Sequence, residues 1–202
     1  MDPQTAEFYR TRSREWAAAL PHELRPELDA FLDGLAPSAR ILEMGCGDGR
    51  DAQRMIARGF EVDTSDGVLE MARLASERLG RAVPVMLYEE LDADRLYDAA
   101  WCHASLLHVP LADLPGILAR IHRALKPGAL FFANYKGGDG SPHHANGRDD
   151  FGRFYSYLSL PDLESAYGQA AVWAGLEIAT TQGGSFGGTP TLWHAVTARK
   201  QS

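Results

Sequence analysis

A glycine-rich segment between two carboxylates is the part of the sequence with the clearest capacity for chemistry. Gly45, Gly47 and Gly49 alternate directly after a short apolar run, with Glu43 just before them and Asp66 further along. Glycines allow a backbone to turn tightly and to approach a ligand without clashes from β-carbons. Because a predicted strand precedes these glycines and a predicted helix follows them, the segment is a candidate ligand-binding loop.

The two carboxylates indicate which kind of ligand this loop could accept. Asp66 follows a second predicted strand, where a carboxylate can accept hydrogen bonds from both hydroxyl groups of a ribose. Glu43 would repel a pyrophosphate, and the spacing G-x-G-x-G differs from the G-x-G-x-x-G of dinucleotide sites. A sulfonium cation that carries an amino group is compatible with both acids. The pattern therefore favours S-adenosylmethionine over a nicotinamide dinucleotide.

Strands and helices alternate along the chain, which predicts a doubly wound α/β fold with a parallel sheet. The last two predicted strands are joined without a helix and must therefore run antiparallel. The expected architecture is a Rossmann-like, seven-stranded, mostly parallel sheet with one antiparallel C-terminal hairpin strand. Helices are predicted at residues 8–20, 22–35, 49–58, 69–79 and 111–125 and from Leu160, capped by Ser159, and strands at residues 40–44, 60–64, 82–87, 98–103, 129–135, 176–181 and 192–199.

Length and charge narrow the classes of function. The 202 residues fit one domain, with residues 1–36 as an N-terminal helical cap and residues 37–202 as the sheet that would carry catalysis. The 27 acidic and 20 basic residues give a formal net charge of −7, which disfavours a nucleic-acid partner. The sequence has neither a secretory signal nor an apolar run of the roughly 20 residues that a membrane helix needs. We therefore expect no membrane partner and a cytoplasmic location.

The two cysteines predict neither a disulfide framework nor a metal site. Cys46 and Cys102 are too few for such a framework, and their spacing is not that of metal ligands. Both lie in apolar surroundings, so we predict buried, free thiols.

Several segments together resemble the class I S-adenosylmethionine-dependent methyltransferases. Residues 41–51 are similar to motif I of that family, and Asp66 matches the acid that ends its second strand. Residues 88–91, 98–109 and 125–128 resemble the segments that follow the third strand, form the fourth strand and lead into the fifth. The resemblance covers most of the chain and is closest to small-molecule methyltransferases of the tellurite-resistance type.

The resemblance implies a cofactor, a reaction and a set of contacts. The cofactor is S-adenosylmethionine, the product is S-adenosylhomocysteine, and the reaction is in-line transfer of a methyl group to an unidentified small molecule. It also implies that the N-terminal helix covers the cofactor and that the backbone amide of Cys46, not its thiol, touches the ligand. The candidate cofactor-binding residues are Tyr9, Trp16, Glu43, Gly45, Cys46, Gly47, Gly49, Asp66, Gly67, Leu87, Tyr88, Glu89 and His103.

Candidate catalytic residues lie at or after the segments that match the fourth and fifth strands of the methyltransferase family. His103 ends a predicted strand, and Arg153 and Tyr155 belong to an Arg- and Tyr-rich segment expected to form a loop over the cofactor. Lys136 and Tyr157 are further candidates for the acceptor pocket. Arginine and tyrosine in such a loop would suit an anionic acceptor. An ordinary core histidine and an aromatic packing cluster are the alternative interpretations.

The sequence leaves open the roles of the remaining histidines and two alternative functions. His108 is expected to be structural, and His143 and His144 lack further ligands that would complete a metal site. A protein that binds the cofactor without turnover, and less well a nicotinamide-dependent oxidoreductase, are alternative functions. Neither the methylated atom nor the oligomeric state, monomer or homodimer, follows from these residues.

Overall fold

The computed structural model describes residues 1–19, 25–138, 146–184 and 190–202. Within these ranges a mixed sheet carries helices on both of its faces. The helices are α1 (Pro3–Ala19), α2 (Pro26–Asp33), α3 (Arg50–Ala57), α4 (Leu69–Leu79), α5 (Leu114–Ala124) and α6 (Leu160–Ala170). The strands are β1 (Arg40–Met44), β2 (Glu61–Ser65), β3 (Tyr97–Cys102), β4 (Leu125–Gly137), β5 (Asn146–Arg148), β6 (Phe154–Leu158), β7 (Trp173–Gly184) and β8 (Pro190–Lys200).

The first four strands form the parallel half of the sheet, in the order β2-β1-β3-β4. Ile41 of β1 pairs with Val62 of β2 and with Ala99 of β3, so β1 lies in the interior of this half. On the other side of β4, β8 pairs antiparallel with β4 and β7 pairs antiparallel with β8. The predicted fold class, a mostly parallel α/β sheet with an antiparallel C-terminal hairpin, is confirmed.

The strand β6 continues the edge of β4 beyond the end of β3. Residues 130–133 of β4 pair with β3, whereas Lys136 and Gly137 pair in parallel with β6. Because β8 occupies the opposite edge of β4 along residues 130–136, β6 lies above the carboxyl end of β3. This arrangement brings the predicted acceptor segment to the edge of the sheet at which the ligand sites of α/β folds lie.

Two sequence predictions about strands are wrong in detail. The strand expected at residues 82–87 is reduced to a single parallel bridge between Asp66 and Val85, because Pro84 has no N–H to donate and Val85 is 48% exposed. The segment expected to form only a loop after the fifth strand contributes the short strands β5 and β6. The described residues therefore contain eight strands rather than the seven expected.

The helix boundaries agree with expectation except at the N-terminus. The first helix begins at Pro3 rather than at residue 8, and α2 begins at Pro26. The predicted break at Pro21 and the predicted start of the second helix at residue 22 lie outside the described residues. Ser159 caps α6 as predicted, since its side chain accepts a hydrogen bond from the backbone N–H of Asp162. None of the described helices is both long and apolar enough to cross a membrane.

The core consists of two main apolar clusters, one on each face of the sheet. Along β1, Ile41 packs into the cluster with α2 and α3, while Leu42 packs into the cluster with α5 and α6. This alternation is what a strand buried on both faces requires. Cys46 and Cys102 are both buried and free, as predicted. The core thus fixes β1, β2 and β3, whose carboxyl ends carry the candidate site.

Candidate active site

A cavity of about 1330 Å³ opens between α1 and the carboxyl ends of the parallel strands. It is larger than the roughly 300–1,000 Å³ typical of small-molecule sites, so it has room for two ligands at once. Its lining includes residues at or just after the ends of β1, β2, β3 and β4, namely Gly45, Asp66, His103 and Lys136.

The glycine loop follows β1 in a conformation that glycine adopts readily. Gly45, Gly47 and Gly49 have φ angles of 74°, 58° and 78°, in the left-handed region where a β-carbon causes strain. The backbone N–H groups of Gly45 and Cys46 both donate to the carbonyl of Ser65, at 2.9 and 3.0 Å. The loop is therefore tied directly to the end of β2.

The carboxylate of Asp66 binds the same loop. Its oxygens accept hydrogen bonds from the backbone N–H groups of Gly47 and Val68, each at 2.9 Å. Burial raises the pKa of Asp66 to about 6, although both hydrogen bonds oppose that shift. Asp66 thus lies at the cavity wall within hydrogen-bond distance of the glycine loop, as the sequence predicted.

Glu43 lies beneath the loop at the end of β1 and is 2% exposed. It accepts a hydrogen bond from the hydroxyl of Thr64. Burial, and then the nearby Asp51 carboxylate, raise the pKa of Glu43 to about 8. A cation placed against this group would lower that pKa and favour the carboxylate, which is the electrostatic preference expected from the sequence.

A partly buried ion pair connects the start of α2 with α3 and β3 at one wall of the cavity. Arg25 Nε lies 2.8 Å from Asp51 Oδ1, and the indole N–H of Trp101 donates to Asp51 Oδ2 at 3.0 Å. Arg25 Nη1 lies 2.8 Å from Nδ1 and 3.0 Å from Nε2 of His103. Burial, and then the Arg25 charge, hold the pKa of His103 well below its usual value. His103 is therefore neutral and its lone pair faces a cation.

The helix α1 forms the wall opposite the sheet. Trp16 lies over the glycine loop, since a β-carbon at Gly47 would come within 3.1 Å of its ring. Tyr9 packs edge-to-face against Trp16, with ring centroids 5.6 Å apart. Arg50 donates to the carbonyl of Ala17 at 3.1 Å, which anchors α1 to the start of α3. These contacts place α1 where it would cover a bound ligand.

The side chain of His108 positions Tyr9 and is itself fixed by the backbone of β6. His108 Nδ1 lies 2.6 Å from the carbonyl of Phe154, which can only accept, so Nδ1 carries the proton. Nε2 then accepts from the Tyr9 hydroxyl at 3.1 Å. Burial lowers the pKa of His108 to about 4, so the ring is neutral. Both ring nitrogens are occupied by these hydrogen bonds.

Two adjacent acids follow the segment at residues 82–87 that was predicted to be a strand, and they have different roles. Glu90 accepts a hydrogen bond from the backbone N–H of Leu87 at 2.7 Å and closes a short turn. The Glu89 side chain is 53% exposed and lines the cavity, where Tyr88 also lies. Glu89, rather than Glu90, therefore faces the cavity at this end, with its Oε1 3.9 Å from the N-terminal ammonium of Met1.

The opposite end of the cavity is cationic and aromatic. Arg153, 2% exposed, donates from Nε to Asp149 Oδ2 at 2.8 Å and from Nη1 to the Tyr9 hydroxyl at 3.3 Å. Lys136, 4% exposed, places Nζ 3.5 Å from the centroid of the Tyr155 ring. Burial, and then the charge of Arg153, lower the pKa of Lys136 to about 8.

Comparison with known proteins gives the family of the chain. A family model described as "Methyltransferase domain" matches residues 15–170, which is more than half of the chain. The chain belongs to this methyltransferase family.

Curated relatives of this methyltransferase-family chain include ubiquinone biosynthesis O-methyltransferases. Those of Hahella chejuensis and Paracidovorax citrulli are 34% and 32% identical to it over 123 residues. Each match covers 55% of this chain and 50% of the relative. The chain therefore spans about half the length of the curated relatives it matches.

Solved structures share the fold of this methyltransferase-family chain at low sequence identity. Phosphoethanolamine N-methyltransferase 2 of Haemonchus contortus aligns with a TM-score of 0.78 and 15% identity, covering 100% of this chain and 61% of that one. The 1,6-didemethyltoxoflavin-N1-methyltransferase of Burkholderia thailandensis gives 0.74 and 22%, covering 98% and 88%. The cyclase SpnF gives 0.69 and 16%, covering 97% and 94%. The fold is thus shared by proteins with different reactions.

The structure brings most of the predicted site residues of this methyltransferase-family chain to one cavity. Gly49 instead faces Ala75 of α4, and Leu87 packs beside Gly67. The Tyr157 ring lies behind Tyr155, with its centroid 5.6 Å from Lys136 Nζ. The predicted residues that line the cavity are Tyr9, Trp16, Glu43, Gly45, Cys46, Gly47, Asp66, Gly67, Tyr88, Glu89, His103, Lys136, Arg153 and Tyr155.

Two further residues need separate comment. The backbone N–H of Cys46 donates to the carbonyl of Ser65 while the residue lines the cavity, so its contact with a ligand stays a prediction. His108, expected to be structural, does position Tyr9 but also lines the cavity. His143 and His144 lie outside the described residues. Among the residues that are described, no three acids, histidines or cysteines cluster as metal ligands.

Sequence reasoning missed the partnership of Arg25 with Asp51 and His103. Asp51 carried a signal, because it is an acid in the first turn of the helix after the glycine loop and Trp101 can reach it. Arg25 carried none, since 78 positions separate it from His103 in the chain. Only the packing of α2 against the sheet brings the two together.

Proposed function

We propose that the chain transfers a methyl group from S-adenosylmethionine to a small, anionic acceptor molecule. One observation supports this above the others. A positive-φ glycine loop after β1 is joined through Gly47 to a buried carboxylate, Asp66, after β2. That pair sits in a cavity large enough for a cofactor and an acceptor.

The residues present fit the cofactor at three points. The Asp66 carboxylate would accept hydrogen bonds from the ribose hydroxyls, and Glu89 would face the adenine. Glu43, whose pKa is raised to about 8, would ionise beside a cation, so a sulfonium and an amino group are favoured below the loop over a phosphate. When bound, S-adenosylmethionine supplies an electrophilic methyl group, which leaves S-adenosylhomocysteine after transfer.

The chain itself contributes orientation and exclusion of water rather than acid–base chemistry. Trp16 and Tyr9 on α1 would cover the bound molecules and remove solvent from the reacting groups. His103, proposed from the sequence as catalytic, faces Arg25 and would position ligands rather than accept a proton. Arg153 and Tyr155 would form the wall that holds the acceptor, beside Lys136.

Calorimetric titration with S-adenosylhomocysteine tests the proposed function. We expect a dissociation constant in the range of about 1–100 μM, equivalent to roughly 5.5–8 kcal/mol of binding free energy. NAD is the matched control, because its pyrophosphate would meet Glu43 and Asp66; we expect no measurable heat. Binding of NAD in preference to S-adenosylhomocysteine would contradict the proposal and restore the oxidoreductase alternative. Cofactor binding without methyl transfer to any of a broad acceptor panel would favour the non-catalytic alternative.

The affinity for S-adenosylhomocysteine should fall as pH falls below about 6. Ribose hydroxyls donate to the ionised form of Asp66, and protons compete with them because the pKa of that carboxyl is raised to about 6. Each further pH unit should then weaken binding by up to about tenfold. Calorimetry from about pH 7.5 down to pH 5 measures the slope, with a melting curve at each pH to confirm folding. A flat profile in the folded protein would contradict the role given to Asp66.

A further inference from the structure

We infer that the acceptor is an acidic hydroxyl on a planar carbon, a phenol or an enol, held as its oxyanion by Lys136. This inference rests on the proposed methyl transfer and names the substrate class of that same site. It excludes cationic amines as acceptors.

Lys136 carries a positive charge that its described surroundings leave unbalanced. Its Nζ faces the ring of Tyr155 at 3.5 Å, and no carboxylate of the described residues lies within ion-pair distance of it. Arg153 beside it differs, since Arg153 Nη2 lies 2.6 Å from Asp149 Oδ2. One of the two cations at this end of the cavity is therefore neutralised by the protein, and the other is left for a ligand.

The energetics favour an anionic ligand at this position. A buried ammonium loses hydration, and a cation–π contact recovers only about 0.5–2 kcal/mol of it. The lowered pKa of Lys136, about 8, expresses that cost. An oxyanion beside Nζ would offset this loss of hydration, because charges in a buried site are only weakly screened. A protonated amine would instead be repelled by both Lys136 and Arg153.

The shape of this end of the cavity favours a planar acceptor. Trp193 of β8 pairs directly with Lys136 of β4, so their side chains project from the same face of the sheet. Tyr155 and Phe151 also line the cavity there. Aromatic walls on several sides bind flat, unsaturated rings well.

Neither of the two described histidines that line the cavity, His103 and His108, has a free ring nitrogen to remove a proton from the acceptor. The ring nitrogens of His108 are engaged by Tyr9 and Phe154, and those of His103 face Arg25. The acceptor must therefore release its proton to water, which an acidic hydroxyl can do near neutral pH. The oxyanion then uses a lone pair to bond the methyl carbon while the C–S bond breaks and its electron pair stays on sulfur. A negative and a positive charge are consumed together, so net charge is conserved.

Binding of 4-nitrophenol to the protein saturated with S-adenosylhomocysteine tests this inference without turnover. The absorbance of the phenolate reports how much of the bound probe is ionised. We expect the bound probe to be more ionised than the free probe, and nitrobenzene, its neutral analogue, to bind at least about tenfold more weakly. 4-Nitroaniline, an uncharged amine of the same shape that cannot form an oxyanion, should also bind at least about tenfold more weakly.

Variants of two lysines on the same strand make the test specific. Lys136→Met should weaken 4-nitrophenol binding at least about tenfold and abolish the shift in ionisation, while Lys136→Arg should retain most of both. Lys126→Met is the matched control, because Lys126 lies at the other end of β4 and pairs with Asp98 at 2.8 Å. It should leave binding of the probe unchanged. Melting curves and affinity for S-adenosylhomocysteine check that each variant is folded.

Three results separate the failure of this inference from the failure of the proposed function. If S-adenosylhomocysteine binds but Lys136→Met and wild type bind 4-nitrophenol equally, the inference is overturned and methyl transfer still stands. Equal binding of nitrobenzene and 4-nitrophenol by wild type would overturn it as well. If S-adenosylhomocysteine itself does not bind, the proposed function fails, and the inference that rests on it fails too.

Discussion

Replacing Asp66 with asparagine should weaken the binding of S-adenosylhomocysteine by about a hundredfold or more. A hydrogen bond to a charged group contributes roughly 1.5–3 kcal/mol, and the carboxylate would accept two from the ribose. Losing about 3 kcal/mol corresponds to roughly a hundredfold in the dissociation constant. The amide would also turn an NH₂ group toward Gly47 N–H or Val68 N–H, where two donors would oppose each other. Calorimetry measures the affinity and a melting curve measures the stability.

The control for this variant is Asp63→Asn, three residues earlier in the chain, on β2. Asp63 is half-exposed and pairs with Arg40 at the far side of β2, so its loss should cost less than about 1 kcal/mol of stability. It should not change affinity for S-adenosylhomocysteine. Equal affinities for Asp66→Asn and wild type would remove Asp66 from the proposed site.

Replacing Gly45 with alanine should destabilise the protein by about 3 kcal/mol and abolish cofactor binding. A β-carbon there would lie 2.4 Å from Cβ of Ser105, and the φ angle of 74° adds left-handed strain. That strain costs roughly 1–2 kcal/mol and the overpacking roughly 1–3 kcal/mol. At roughly 2–4 °C for each kcal/mol, the Tm should fall by about 6–12 °C. Thermal melts and S-adenosylhomocysteine titrations measure both effects.

Gly80→Ala is the matched control for the backbone strain. Gly80 ends α4 with a φ angle of 64°, and no heavy atom lies within 4 Å of a β-carbon built there. It should lose only the roughly 1–2 kcal/mol of left-handed strain and keep its cofactor affinity. Adding Ser105→Gly to Gly45→Ala should recover part of the lost stability. If Gly45→Ala and Gly80→Ala lose similar amounts of stability, the close approach to Ser105 does not contribute to the destabilisation.

The sequence predicted those parts of the site in which local backbone chemistry determines the geometry. The alternating glycines predicted a tight bend, and all three adopt positive φ angles. Asp66 was placed correctly because parallel strands that are neighbours in a sheet end at the same edge. The antiparallel hairpin followed from the missing helix between the last two strands. These features depend on residues close together in the chain or on general rules of topology.

The parts that could not be predicted depend on tertiary contacts. Residues 82–87 have the composition of a strand, but Pro84 and the exposed Val85 leave only one bridge. The Arg- and Tyr-rich composition of residues 153–157 predicts a loop over the cofactor, yet Arg153 is 2% exposed and the segment joins the sheet. A charged side chain is buried there because Asp149 neutralises it, and only the three-dimensional packing reveals that pairing.

The pairing of β6 with the end of β4 has a consequence for how such a protein could diversify. Lys136 pairs with Tyr157 of β6, and Tyr155 of β6 pairs with Gly147 of β5, so strand pairing fixes the backbone of the wall that they form. New acceptor preferences could therefore arise by exchanging single side chains on that wall, with the backbone and the nucleotide end of the cavity left intact. In this protein, acceptor selectivity would then change through single substitutions. In folds whose sites are built from loops, selectivity instead evolves by insertion and deletion.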